Sequence, residues 1–532
     1  MYDLLTDDLI GVRVSEGERR VNLPGLFALL ARNSVDAYTG LRAHQEDPWH
    51  VFLVQLAASI LARFPASPLP GDPGYWRDGL LDLADGRASA WSLLVEDVTL
   101  PAFLQHPWSS WEAEAQDYGA RRRSGGWIWQ PKARTPDELD VLLTSKNHDI
   151  KMSRVGPDAI EAWLYALLVY QTTSGYLGQG NYGIIRMNGG HGSRPIVSWC
   201  TSLHPARRFQ EELAVLTRMR EGVMAAYGYR SRGVVLTWLA PWNRSSHQYM
   251  LQELEPWFIE AARPVRLRQE SDGALAALGA TSKARQIGPK DPGNGDVGDP
   301  WIPVNLGNEK KGRAALTLTG QGFTPRRLTE LIFEKGFELT PLQKPRAGSE
   351  PGWFVASALA RAEGKTEGYH RITLPVPAKA CLALFRPADR GRLAELAEKL
   401  LQDADIAGDA LRAALAAFAE GGPDTDKASQ SAVQQWVRRL ESSFAARWKQ
   451  RYFDCLWRGA DEDHEAIQSH WRHELVSEAQ SILERARAIL PIPSNRTYRA
   501  AVRAADAFSG RLRRKGFLIS EDSSKQEQES AL

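Results

Sequence analysis

The residues in this chain that could do chemistry fall into a few short groups, and each reads differently once its surroundings are considered. Gly178, Gly180 and Gly183 have the GxGxxG spacing that holds a dinucleotide pyrophosphate. That use requires a strand before the glycines and an acidic residue about 20 positions beyond them for the ribose. Here the preceding stretch, Asp158 to Gln171, reads as a buried helix, and no Asp or Glu lies between Tyr182 and Phe209. The glycines instead offer backbone that a ligand can approach closely. They are followed by Arg186, Asn188, Gly189, Gly190, His191, Ser193 and Arg194, a set suited to nucleic acid or phosphate.

Gly364-Lys365-Thr366 resembles the end of a P-loop, but Leu359 occupies the position of its first glycine. Lys146, Asn147, His148, Asp149 and Lys151 form a polar cluster before the buried helix; adjacent His and Asp seldom share a metal without distant ligands. His464, His470 and His473 lie on one helix, where a solvated face is the expected reading. No GxSxG elbow, HExxH pair or kinase signature occurs. The chain therefore offers no catalytic seat, and no metal or cofactor is expected.

Other cations gather at Arg121 to Arg123, at Lys283, Arg285 and Lys290, at Lys310, Lys311 and Arg313, and at Arg511 to Lys515. With 66 basic and 64 acidic residues the net charge is only +2, so any phosphate-binding surface must be a local patch. The Lys283 group stands out because small residues flank it. The 18 tryptophans are expected in the core and at interfaces.

The elements that must position these groups divide the chain in two. From Met1 to Leu384 short apolar runs, such as Gly233 to Trp238 and Ala314 to Thr319, read as strands between helices. This is an α+β body without the rhythm of a parallel sheet. Ile287 to Gly312, rich in Gly, Pro and Asp, reads as an irregular surface excursion.

From residue 385 to 519 apolar residues recur at helical spacing, among them Leu393, Leu396, Ala397, Leu400 and Leu401. Breaks at Gly421-Gly422-Pro423, Gly459 and Pro491-Ile492-Pro493 cut this region into the four segments of an antiparallel four-helix bundle. Residues 520–532 read as a disordered tail. Cys200, Cys381 and Cys455 form no CxxC pair. The amino terminus is acidic and no apolar run is long enough to span a bilayer, so a cytoplasmic protein without export or membrane segments is expected.

Several strings, in order, resemble the CasA family, the large subunit of type I-E CRISPR Cascade complexes. They are Leu4-Leu5-Thr6-Asp7-Asp8, Asn22-Leu23-Pro24-Gly25-Leu26-Phe27, Lys146-Asn147-His148-Asp149, and the glycine-rich stretch through Arg186-Met187-Asn188-Gly189-Gly190 and Ser193-Arg194-Pro195. Gly298-Asp299-Pro300-Trp301, Ala315-Leu316-Thr317-Leu318-Thr319, Gly364-Lys365-Thr366-Glu367-Gly368-Tyr369-His370 and the terminal bundle complete the set.

The resemblance implies an α+β domain followed by a four-helix bundle, without catalysis or cofactor. It implies recognition of the protospacer-adjacent motif (PAM) of double-stranded DNA from the minor groove, opening of the duplex into an R-loop, and docking of an effector helicase-nuclease. Guide RNA and the backbone, guide-5′-end-capping and small subunits are the other implied partners. By the same resemblance Gly178, Gln179, Gly180 and Asn181 form the glycine loop at the motif, and Lys283, with Arg285 as neighbour, is the lysine in the groove. Glu363, Gly364 and Lys365 form the wedge that splits the first base pairs. Lys146, Asn147, His148 and Lys151 would meet guide RNA or a neighbouring subunit.

The family often carries glutamine where this chain has Glu363, and a carboxylate is repelled by phosphates. Lys365 and Thr366 then take over, or the hairpin sits differently. Two rivals remain: a nucleotide-using enzyme built on the glycine strings, and a scaffold subunit that touches guide RNA and neighbours without reading DNA.

Overall fold

The computed structural model describes residues 2–109, 129–140, 160–188, 193–288, 292–308, 312–346, 350–362, 365–420, 427–489 and 494–517. The chain forms two compact units, one of residues 1–323, 330–346 and 352–375, the other of residues 324–329, 347–351 and 376–532.

The first unit is organised by helix Ala43–Arg63, buried along most of its length with Trp49, Phe52, Leu53, Leu56 and Ile60 at 0–1% exposure. A helix that buries both its apolar and its polar side chains must be enclosed by elements that pack on it and pair with it. Helices Ile160–Thr172 and Pro205–Tyr227 and strand Leu254–Ile259 enclose it. The strands make small sheets of two or three members rather than one large sheet. One sheet pairs Leu275–Gly279 with Gln130–Ala133 on one side and Val265–Gln269 on the other, both antiparallel. Another sets strand Gly352–Ala362 between Lys365–Val376 and Ile196–Cys200.

Several charges inside this unit are paired. Arg208 lies 2.8 Å from Asp47 and 2.9 Å from Glu212, His50 lies 3.0 Å from Glu212, and Arg371 lies 2.9 Å from Asp47. Burial alone would raise the carboxyl of Asp47, but the Arg208 and Arg371 guanidinium groups outweigh it and hold that carboxyl well below its usual range. Breaking such a pair strands a buried charge, so the network fixes the packing of the elements that bear it.

Strand positions differ from the sequence reading in two places. Within Gly233 to Trp238 only Val234–Leu236 is strand. The second strand is Gly312–Ala315, not Ala314 to Thr319; the Leu316 N–H reaches the Pro303 carbonyl at 2.9 Å in the same register, but Pro303 has no N–H to return a bond and the ladder ends there, with Leu316 and Leu318 still buried. Residues 287–312 also depart from the expected surface excursion. Val297, Trp301 and Ile302 are buried, the Trp301 indole donates to Glu212 at 2.7 Å, and strand Val304–Asn308 follows. The turn residues punctuate a segment that is anchored in the core by its tryptophan.

The second unit contains helices Pro387–Glu420, Lys427–Arg458, His464–Ile489 and Ser494–Arg514, the first packing against each of the others. The predicted bundle face is inside: Leu393, Leu396, Ala397, Leu400, Leu440 and Phe444 are buried. Polar ties set the register. The Trp471 indole donates to the Leu400 carbonyl at 2.9 Å, Tyr452 donates to the Ala397 carbonyl at 3.1 Å, and Arg472 pairs with Asp403. The tail, residues 520–532, lies outside the described residues.

Candidate nucleic-acid interface

Helix Ile160–Thr172 ends in three consecutive hydroxyls. Thr172, Thr173 and Ser174 donate to the carbonyls of Leu168, Val169 and Tyr170 at 2.8, 2.7 and 2.6 Å, closing the last turn. The chain then doubles back. The Leu177 N–H reaches the Asn181 carbonyl at 3.0 Å, the Asn181 N–H the Gly178 carbonyl at 2.9 Å, and the Ile184 N–H the Ser174 carbonyl at 3.2 Å.

All three glycines of the GxGxxG string are explained by this loop. Gly178 and Gly180 have φ of +111° and +81°, a region that side chains disfavour, and a Cβ on Gly183 would lie 2.5 Å from the Gly175 carbonyl carbon, where the two arms cross. Buried Arg263 grips the stem, its Nε donating to Ser174 Oγ at 3.0 Å and its Nη2 to the Gly175 carbonyl. Gln179 at the tip is exposed.

Lys283 lies beside this tip. The Ser282 N–H donates to the Gly180 carbonyl at 3.0 Å, Thr281 packs against Gly180, and the Lys283 N–H donates to the Arg244 carbonyl at 2.7 Å. The backbone of Lys283 is thus clamped on a fixed frame while its side chain is exposed. Two segments far apart in sequence, Gly178 to Asn181 and Thr281 to Lys283, are joined through Thr281 and Ser282.

Arg285 is placed otherwise. It is 8% exposed, and its charge acts on the buried Glu260 carboxyl. It belongs to the support of the loop and not to its outer face. Burial pushes Glu260 up to about 7, against the lowering effects of Arg186, of the Ile185 N–H at 2.9 Å and of Arg285.

The basic residues after the loop are core residues as well, which corrects the surface role read from their types. Arg186 and Arg194 are 2% and 4% exposed and share Asp299 Oδ2 at 2.8 and 2.6 Å. The Arg186 guanidinium lies 3.6 Å from the centre of the Phe258 ring and donates to the Phe258 carbonyl at 2.8 Å. Buried Ser193 donates to the Leu359 carbonyl. His191 lies outside the described residues.

Of the wedge, Glu363 and Gly364 lie outside the described residues and Lys365 opens strand Lys365–Val376, next to Gly352–Ala362 in its sheet. Lys146, Asn147, His148 and Lys151 also lie outside. Their described flanks are firmly held. Asp140 accepts from His44 and Gln45, each at 2.8 Å, and Glu161 accepts from the Gly11 N–H at 2.8 Å and from the Tyr165 hydroxyl at 2.9 Å.

Among the described residues no three His, Cys, Asp or Glu gather as a metal site, and His470 instead lies 3.5 Å from Glu474. Arg313 is neutralised by Asp296 and Glu338. No described helix is long and apolar enough to cross a membrane. Sequence reasoning missed Arg263, Arg244, Gln171 and Glu260, which hold the interface from behind. No motif or periodicity marks them, since their roles arise only where the chain returns upon itself.

No family model and no curated protein matches this sequence. Solved structures do match. The CasA protein of Thermus thermophilus superimposes with a TM-score of 0.64 at 16% identity, over 96% of this chain and 99% of that one. Thermobifida fusca Cse1 gives 0.58 at 13% identity, over 98% and 99%. A chain of a CRISPR RNA-guided surveillance complex gives 0.53 at 13% identity, over 92% and 99%. Across both units, then, this chain has the fold of the CasA/Cse1 proteins.

Proposed function

We propose that this chain is the large subunit of an RNA-guided CRISPR surveillance complex of type I-E, a non-catalytic reader of double-stranded DNA. The observation that carries the reading is the join between the glycine turn and Lys283. It combines close-approach backbone, the exposed amide of Gln179 and an exposed ammonium on one rigid edge. Such an edge suits entry into a minor groove, with the ammonium directed at the acceptors on its floor. Because A·T and T·A present nearly the same acceptors there, recognition is expected to tolerate several PAM sequences.

Exchange of a DNA duplex for an RNA–DNA hybrid is nearly balanced, so contacts of a few kcal/mol at the motif suffice to start R-loop formation. In the same reading the wedge at Glu363, Gly364 and Lys365 separates the first pairs. Lys146, Asn147, His148 and Lys151 dock on guide RNA or the capping subunit, the bundle meets the small subunits, and the assembled face receives the helicase-nuclease. Lys283 is the cation that enters the groove in this reading, a role that the burial of Arg285 and the exposure of Lys283 support.

The test is binding of guide-loaded complex, with and without this chain, to a labelled matched target beside a randomised motif. Binding should require the chain and weaken on Lys283→Ala and on Gly180→Asp. Binding and motif preference that survive without the chain would leave it a scaffold or recruiter.

A further inference from the structure

We propose that Lys132 is a second nucleic-acid contact of this chain, a phosphate-binding cation set beside the glycine turn and Lys283. The inference rests on the reading that this edge meets duplex DNA. In the sheet that leads to Lys283, Ala133 pairs with Ala277 and Pro131 with Leu278, so Lys132 is the extra residue of a β-bulge on strand Gln130–Ala133. A bulge turns a side chain out of the alternation of its strand. Gly279 makes room for the turn: a Cβ there would lie 3.1 Å from both Cβ and Cγ of Lys132. Lys132 is exposed, and among the described residues no carboxylate pairs with it.

Two chains of contact root Lys132 in the same frame as the proposed reading edge. Its ammonium lies 5.9 Å from the centre of the Tyr170 ring, which also faces the Arg263 guanidinium at 5.3 Å, and Arg263 grips the stem of the glycine turn at Ser174 and Gly175. Trp129, which precedes the strand, stacks on Trp108 at 4.9 Å and lies 5.4 Å beneath the Arg244 guanidinium. The Arg244 carbonyl holds the Lys283 N–H. The intervening strand, Leu275–Gly279, runs on through Thr281 and Ser282 into Lys283 itself. One lysine thus follows the paired strand and the other stands on its partner.

An ammonium on a flexible stem carries no base code, so its contribution is positional and independent of motif. The experiment uses guide-loaded complex assembled with variant chains and two duplexes of different motif, titrated from about 50 to about 200 mM salt. Lys132→Ala should weaken both duplexes by the same factor, roughly tenfold, and lower the salt slope by about 1. Lys132→Arg should restore both, and Gly279→Val, which keeps the charge but displaces its stem, should mimic the alanine variant. Circular dichroism of each chain checks that it folds.

Unchanged affinity and slope for Lys132→Ala, with Lys283→Ala and Gly180→Asp still weakening binding, would overturn the inference alone and leave the lysine a guard of its edge strand. A changed motif preference for Lys132→Ala would overturn it as a phosphate contact. If none of the three variants affects binding, the DNA-reading function itself falls.

Discussion

Residues 175–183 and residues 184–194 are adjacent in sequence, both rich in glycine and polar or basic residues, yet the first presents Gln179 to solvent while residues 184–187, 193 and 194 of the second are buried. The first stretch folds into a turn whose tip is held at the Gly180 carbonyl by the Ser282 N–H, with Gln179 exposed. The second sends Arg186 and Arg194 into the core, where Asp299 takes both. The difference is the availability of a buried carboxylate. A guanidinium leaves water at low cost where acceptors meet it, and for Arg186 and Arg194 these are the Asp299 carboxylate and, for Arg186, the Phe258 carbonyl. Lys283 is pinned through its backbone N–H, and its side chain is exposed.

The comparison breaks most readily at Asp299. Asp299→Ala leaves two buried guanidiniums without their shared partner and is expected to cost about 3–5 kcal/mol, read by chemical denaturation. A loss below about 1 kcal/mol would mean that the arginines find water and that the two stretches are less distinct than drawn.

Glu260 provides a second test on the buried side. Its folded pKa of about 7 lies above that of an unfolded glutamate, near 4.5, so the folded state holds the proton more tightly and unfolding releases it between these values. Stability should fall as pH rises through that window, by roughly 1.4 kcal/mol per unit at most, and level off above it. Glu260→Gln should remove this part of the pH dependence; identical profiles for the two proteins would exclude it.

The exposed stretch is probed by Gly183→Val, whose side chain meets the Gly175 backbone. It should cost roughly 1–3 kcal/mol and spread the arms of the turn, seen as a lowered melting temperature together with lost DNA binding. The smallest expected effect on stability is that of Lys283→Ala, within about 0.5 kcal/mol, although under the proposed function it should weaken motif-dependent binding. A large destabilisation there would make Lys283 another buried-network residue in disguise.

Much of the architecture was legible in the residues. The recurrence of Leu393, Leu396, Leu400 and Leu401 and the breaks near 422, 459 and 492 mark the bundle helices, and the apolar run from residue 158 to 171 marks a helix found at Ile160–Thr172. Local spacing suffices because a helix repeats every few residues. The glycine string was legible as close-approach backbone, but its partner strand was not. The gap between Gly180 and Ser282 is closed by a single hydrogen bond that no local pattern announces. Residues 287–312 misled for the same reason: their turn residues are local, whereas the burial of Trp301 depends on Glu212, 89 positions away.

By itself, then, the sequence determined the long carboxy-terminal helices, the helix before the glycine turn, the turn-forming glycines and a near-neutral net charge. The tertiary structure decided which of the cations are buried and which are exposed. Arg186 and Arg194 are claimed by a carboxylate from 105 positions away in the case of Arg194, Arg285 acts on Glu260, and Lys283 and Lys132 remain exposed on one frame. Whether a charge is buried or presented depends on what surrounds it in space, and that is set by long-range packing rather than by its neighbours in the chain.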